Sequence, residues 1–142
     1  MAPWRLRART AEAAAALALA RLMVARVPFH RWRNRLGAPA APAEWAEPSA
    51  LAADARRLAR HVERAAGRLP FETKCLPRAI ALAWMLRRRQ IGYRLVIAVR
   101  PSVLRSGEDD LHAWVEAGGS VVIGDLPGPW APILIIEKQG LK

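Results

Sequence analysis

Leu111-His112-Ala113-Trp114-Val115-Glu116-Ala117-Gly118-Gly119-Ser120-Val121-Val122-Ile123-Gly124-Asp125 reads as a β-hairpin. Two short β-rich runs, 111–117 and 120–125, flank a Gly-Gly pair. That pair is a strong two-residue turn signal, because the favoured hairpin turns need positive φ at their centre. With that turn Ala117 faces Ser120. The pairs then run back as Glu116–Val121, Val115–Val122, Trp114–Ile123, Ala113–Gly124 and His112–Asp125. The last rung sets an imidazole opposite a carboxylate on one sheet face. It is expected to be non-hydrogen-bonded, with Cα atoms about 4.5 Å apart. A carboxylate there accepts the Nδ1 proton and leaves Nε2 free. A bulge or a longer loop would shift the register.

Upstream lies the only cysteine, in Glu72-Thr73-Lys74-Cys75-Leu76-Pro77-Arg78-Ala79-Ile80. Thr73 is a plausible helix N-cap, and Pro77 is tolerated because first-turn N–H groups have no intrahelical acceptor. Leu76, Ile80, Ala83 and Leu86 follow at helical spacing, Arg87-Arg88-Arg89 suit the negative helix end, and Gly92 supplies a stop. A thiol in the first turn faces the positive helix end, which favours the thiolate. Backbone N–H groups there can also hold an oxyanion. One thiol, one imidazole and one carboxylate are the parts of a nucleophile, a base and an orienting group, which makes Cys75, His112 and Asp125 the candidate site. The plainer alternatives are a cysteine that is a small buried hydrophobe and a His–Asp pair that is structural. One Cys and one His lack the paired spacing of a zinc site, so neither a metal nor a cofactor is expected.

Tyr93 to Arg100 is β-rich and reads as the first strand of the sheet. Residues 101–110 form a loop whose acids Glu108, Asp109 and Asp110 are alternative third members of the site. After Asp125, the residues Pro127, Gly128, Pro129 and Pro132 break regular structure, and Ile133–Ile136 can add an edge strand. Before the cysteine, Leu51, Ala55, Leu58, Val62, Ala65 and Leu69 repeat at helical spacing, with Gly67 and Pro70 ending that helix and Arg56, Arg57, Arg60 and Arg64 mostly elsewhere. His61 adjoins the apolar stripe and reads as packing. Residues 37–49 are a Pro/Ala linker. Residues 1–36 form a basic, amphipathic helical segment, continued by Pro28–Arg35; His30 there reads as solvated. The expected fold class is therefore α+β: a helical N-terminal half, a small antiparallel sheet, and a core over residues 50–142 with the N-terminal helix packed on it.

The chain has 142 residues, 53% of them hydrophobic, enough for one compact domain with a real core. Its net charge is +11, which invites an acidic peptide, an anionic membrane surface or nucleic acid. Of 23 basic residues only three are lysine, a bias that also fits the composition of an alanine- and arginine-rich GC-rich genome. No specific nucleic-acid motif, repeat or phosphate-binding glycine loop is present, and peripheral membrane contact is a candidate role for the first helix. No apolar run approaches the ~20 residues of a membrane span, and no signal-peptide cleavage site follows the alanine-rich start. A single cysteine excludes an intramolecular disulfide and suits a reducing, cytoplasmic compartment.

Lys74-Cys75-Leu76-Pro77-Arg78-Ala79, Met85-Leu86-Arg87-Arg88-Arg89, Arg94-Leu95-Val96-Ile97-Ala98-Val99-Arg100, His112-Ala113-Trp114-Val115-Glu116 and Val121-Val122-Ile123-Gly124-Asp125 together resemble the lasso peptide biosynthesis B2 protein. The resemblance is dense over residues 70–126, weaker over 17–69 and absent as a motif after Leu126. That family is a transglutaminase-like (papain-like) cysteine peptidase, a hydrolase that removes the leader from a ribosomally made lasso precursor. The resemblance implies Cys75 as nucleophile, His112 as general base and Asp125 as orienting acid. It further implies three partners: the lasso precursor with its leader, an ATP-dependent lasso cyclase, and a separate leader-recognition protein of the B1 type, since the recognition domain of the fused forms is not found in this sequence. Two rivals are a thiol acyltransferase or transglutaminase using the same triad, and a non-catalytic basic binding module.

Overall fold

The computed structural model describes residues 3–40, 50–101 and 111–140. Among these residues four helices, α1 (Pro3–Arg26), α2 (Phe29–Leu36), α3 (Ala50–Arg68) and α4 (Cys75–Arg88), accompany five strands: β1 (Ala38–Pro39), β2 (Tyr93–Val99), β3 (Leu111–Ala117), β4 (Ser120–Ile123) and β5 (Ala131–Lys138). The strands form one antiparallel sheet in the order β1-β5-β2-β3-β4. This is an α+β architecture.

α4 is the central helix. Ala79 to Ala83, Met85 and Leu86 are all buried, because α1 and α3 pack on it from one side and β3 and β2 from the other. Its alanines let those neighbours approach closely. α3 shows the one-sided burial its spacing predicts, with Ala55, Leu58, Val62 and Ala65 inside. α1 packs by Ala13, Leu17 and Ala20, yet Leu19 and Leu22 on its outer side stay 59% and 55% exposed. It is thus apolar on two faces rather than simply amphipathic. No helix among the described residues is long and apolar enough to cross a membrane.

Several expectations are corrected. The basic stretch at 28–35 does not continue the first helix. It forms α2, which buries Trp32 and Leu36, with Phe29 edge-on to Trp32 at 4.8 Å. Tyr93 Oη donates to the Leu36 carbonyl, and burial pushes the Tyr93 phenol up to about 12. The linker begins with structure: Ala38 and Pro39 pair with Glu137 and Ile136, while residues 41–49 lie outside the described residues. β5 is not an edge strand, since it lies between β1 and β2. Its Pro132, which has no N–H to donate, meets Ala98 where the register with β2 shifts. β2 is accordingly the middle of the sheet. α4 ends at Arg88, and its left-handed stop is Gln90 rather than Gly92. Gln90 takes φ 59, its N–H bonds the Arg87 carbonyl, and the Ile91 N–H bonds the Leu86 carbonyl, a Schellman ending on a non-glycine residue.

The hairpin carries the correction that matters most. Gly118 and Gly119 do take positive φ, 62° and 81°, and Gly118 sits so close to Ala52 of α3 that no Cβ would fit. Ala117 pairs with Ser120 and Glu116 with Val121, as the turn requires. Val122 is then an extra residue, and Val115 pairs with Ile123. The bulge turns two consecutive apolar residues to the helices: Ile123 is buried, and Val122 packs against the same core. An unbroken register would have sent one of them to the opposite face. The ladder ends at Ile123, so the predicted His112–Asp125 rung does not form.

Candidate active site

Cys75 is the first residue of α4, half-buried and free. The N-cap is Lys74, extended at φ −83° and ψ 179°, and its side chain makes no capping bond. Thr73, the expected cap, is instead buried, and its hydroxyl accepts from Arg78 Nε at 3.3 Å. Arg78 also reaches Glu63 of α3 at 3.1 Å, so the segment before the cysteine is tied to two helices. The first N–H groups of α4, on Cys75 and Leu76, have no intrahelical acceptor, and Pro77 has none to offer.

A cavity of about 280 Å³ opens at this helix end, lined by Cys75, His112 and Asp125 together with the Glu63–Arg78 pair and Gly124. His112 is the second residue of β3 and is 9% exposed. Its Nε2 lies 2.6 Å from the Gly124 carbonyl. A carbonyl only accepts, so Nε2 carries the proton, and Nδ1 holds the lone pair of the neutral ring. This reverses the assignment expected from the sequence. Gly124 follows the bulge at φ 82, and a Cβ there would come 2.7 Å from the Ala113 carbonyl. Its close approach to β3 brings the acceptor to His112. Asp125 is exposed and lines the cavity, but among the described residues no hydrogen bond joins it to His112.

Two residues at the site went unread in the sequence. One is Gly124, whose isolated glycine after a β-rich run was a usable signal. The other is Trp130, whose ring centroid lies 5.1 Å from that of His112; nothing in its Pro/Gly-rich surroundings announced it. The other histidines lie elsewhere. His30 is exposed. His61 is buried between α3 and α1, where its Nδ1 meets Thr10 Oγ1 at 3.1 Å; burial first, then Arg64, Arg9 and Arg89, hold it below the ordinary imidazole range. Glu108, Asp109 and Asp110 lie outside the described residues. Among the described residues no group of three His, Cys, Asp or Glu side chains could hold a metal ion.

Comparison with known proteins places this geometry. Residues 13–136 match the family model of the transglutaminase-like superfamily, a stretch that holds Cys75, His112 and Asp125. A search of curated proteins found no match, and neither did a search of solved structures. The superfamily consists generally of cysteine-dependent enzymes and includes both cysteine peptidases and transglutaminases. With a cysteine opening the central helix, a histidine on the adjoining sheet and a family match across most of its length, the chain belongs to the transglutaminase-like superfamily.

Proposed function

We propose that this chain is a cysteine peptidase that removes the leader from a lasso peptide precursor in the cytoplasm. One observation carries the reading: Cys75, at the uncapped start of α4, and His112, with its proton fixed on Nε2, line the same cavity. The Cys75 thiol passes its proton to His112 Nδ1. The thiolate attacks the carbonyl at the leader–core junction, and the N–H groups of Cys75 and Leu76 hold the oxyanion. His112 returns the proton to the leaving core amine, which leaves the leader as a thioester on Cys75, and water then cleaves that thioester to free the leader as a carboxylic acid and restore the thiol. Asp125, beside Gly124, orients the acceptor segment and biases the site toward the imidazolium–thiolate pair. A separate leader-recognition protein raises the local concentration of the scissile bond. The freed core amine passes to an ATP-dependent cyclase.

The test is mass spectrometry of a precursor incubated with the protein, with and without the recognition protein. A leader carrying one added water supports hydrolysis. A leader joined to a supplied amine indicates acyl transfer, the second chemistry of the superfamily. An unchanged precursor together with an ordinary thiol rate toward iodoacetamide leaves a non-catalytic binding module.

A further inference from the structure

We propose that Trp130 is a positioning residue for His112: its indole covers the imidazole and shields the Nε2–Gly124 hydrogen bond from water, keeping Nδ1 the basic nitrogen. The proposal rests on the Cys75–His112 reading above and deepens it.

The geometry is a stack. The Trp130 and His112 rings lie 5.1 Å apart with planes inclined by 32°. A second indole, Trp114, has its centroid 6.0 Å from His112, with planes inclined by 37°. Trp114 needs no special account, because it stands two residues further along β3 and so shares a sheet face with His112. Trp130 comes from the β4–β5 connection, and nothing local obliges it to meet the ring. Two contacts hold it there. Its Nε1 donates to the Leu126 carbonyl at 3.1 Å, and the Arg100 guanidinium carbon lies 4.5 Å over its ring. The same connection therefore supplies both the acceptor for His112, at Gly124, and the cover over it, at Trp130.

The cover has a chemical consequence. A ring N–H bonded to a carbonyl beside open solvent exchanges that partner for water. Excluding water strengthens the bond and holds the tautomer. The indole face also attracts positive charge, as its contact with Arg100 illustrates, and so favours an imidazolium beside a thiolate. Among the described residues, the other titratable and charged groups lining the cavity with His112 are Cys75, Asp125, and Arg78 with its partner Glu63.

Iodoacetamide alkylation of Cys75 in the full-length protein, followed from about pH 6 to about pH 9.5, tests this without any substrate. Wild type is expected to react at about pH 6 far faster than a free thiol, through the ion pair, and His112→Ala to abolish that advantage. Trp130→Ala is expected to lower the rate at about pH 6 about tenfold and to leave the rate at about pH 9.5 unchanged, because every thiol is ionised there. Trp130→Phe keeps a ring over His112 but loses the Leu126 bond, and should stay within about twofold of wild type at about pH 6. Several results overturn the proposal: a wild-type profile in Trp130→Ala, an equal loss at both ends of the range, or a Trp130→Phe as impaired as Trp130→Ala. A wild type that titrates like a free thiol overturns the underlying Cys75–His112 pair instead, and the His112→Ala arm tells the two failures apart.

Discussion

The two ends of α4 are built to opposite rules. At its C-terminus the last carbonyls find partners: Gln90 and Ile91 close a Schellman motif, Arg89 Nη1 bonds the Met85 carbonyl, and Arg87 reaches back to the Arg35 carbonyl of α2. Glu12 of α1 clamps the same end through Arg89 at 2.8 Å and Arg88 at 3.1 Å. At its N-terminus the cap makes no side-chain bond, the first donors have no intrahelical acceptor, and the terminal residue is a half-buried thiol facing a cavity. One end is closed by partners, and the other leaves open the hydrogen-bonding capacity that the proposed reaction uses.

The sharpest way to break that contrast is at Cys75. Cys75→Ala should lower turnover by at least about 10³-fold while moving Tm by no more than about 2 °C, and Cys75→Ser should be nearly as inactive. A large loss of Tm would mean that this end is structural too. His112→Ala comes next, with an expected loss of about 10²–10⁴-fold. Asp125→Asn should cost less, about tenfold, because the Nε2 proton goes to the Gly124 carbonyl and not to the carboxylate. Initial rates on one precursor, with circular dichroism to exclude unfolding, rank the three.

Gly124→Ala joins the two concerns. It forces a side chain onto φ 82 and toward the Ala113 carbonyl, so urea unfolding should show a loss of about 2–3 kcal/mol, with activity falling as the His112 acceptor moves. At the far end, Glu12→Gln should cost about 1–2 kcal/mol at neutral pH and leave turnover unchanged. The hydrogen bond from Arg89 holds the Glu12 carboxyl below its ordinary 4.5. A depressed carboxyl contributes stability above the unfolded value and loses it as pH falls through the folded one. The penalty of Glu12→Gln should therefore shrink below about pH 4.5. His61, held below its ordinary 6.5 chiefly by burial, has the same sign, so wild-type stability should already decline as pH drops beneath 6.5. The smallest change is a gain. Gln90→Gly relieves a left-handed conformation at φ 59 and should add about 0.5–1 kcal/mol in the same unfolding assay.

What local pattern could show, it showed. Apolar spacing marked α3 and α4, runs with β-branched residues marked β2 and β4, and Gly118-Gly119 marked a turn whose first two rungs form as read. Each depends on residues a few positions apart, where backbone sterics and periodic burial act directly. Of the candidate site residues, Cys75 does start a helix, and His112 and Asp125 line a cavity with it, though not on the expected rung. Beyond those first two rungs the reading failed at Val122. Nothing in a run of Val-Val-Ile says which two of the three must face inward.

The sequence by itself determined the helices α3 and α4, the strand β2, the hairpin turn at Gly118-Gly119, and that one thiol opens a helix. Only the tertiary structure decided the bulge that turns both Val122 and Ile123 toward the core, the place of β5 inside the sheet, and the clamp of Glu12 on Arg89 across 77 positions. It also decided that a main-chain carbonyl, at Gly124, accepts the hydrogen bond of His112 and that the Trp130 ring packs against the imidazole. The physical reason is common to all of these. Periodicity is a property of neighbours along the chain, whereas the burial of an apolar pair, the pairing of distant charges and the choice of a hydrogen-bond acceptor are settled by which surfaces meet once the layers close.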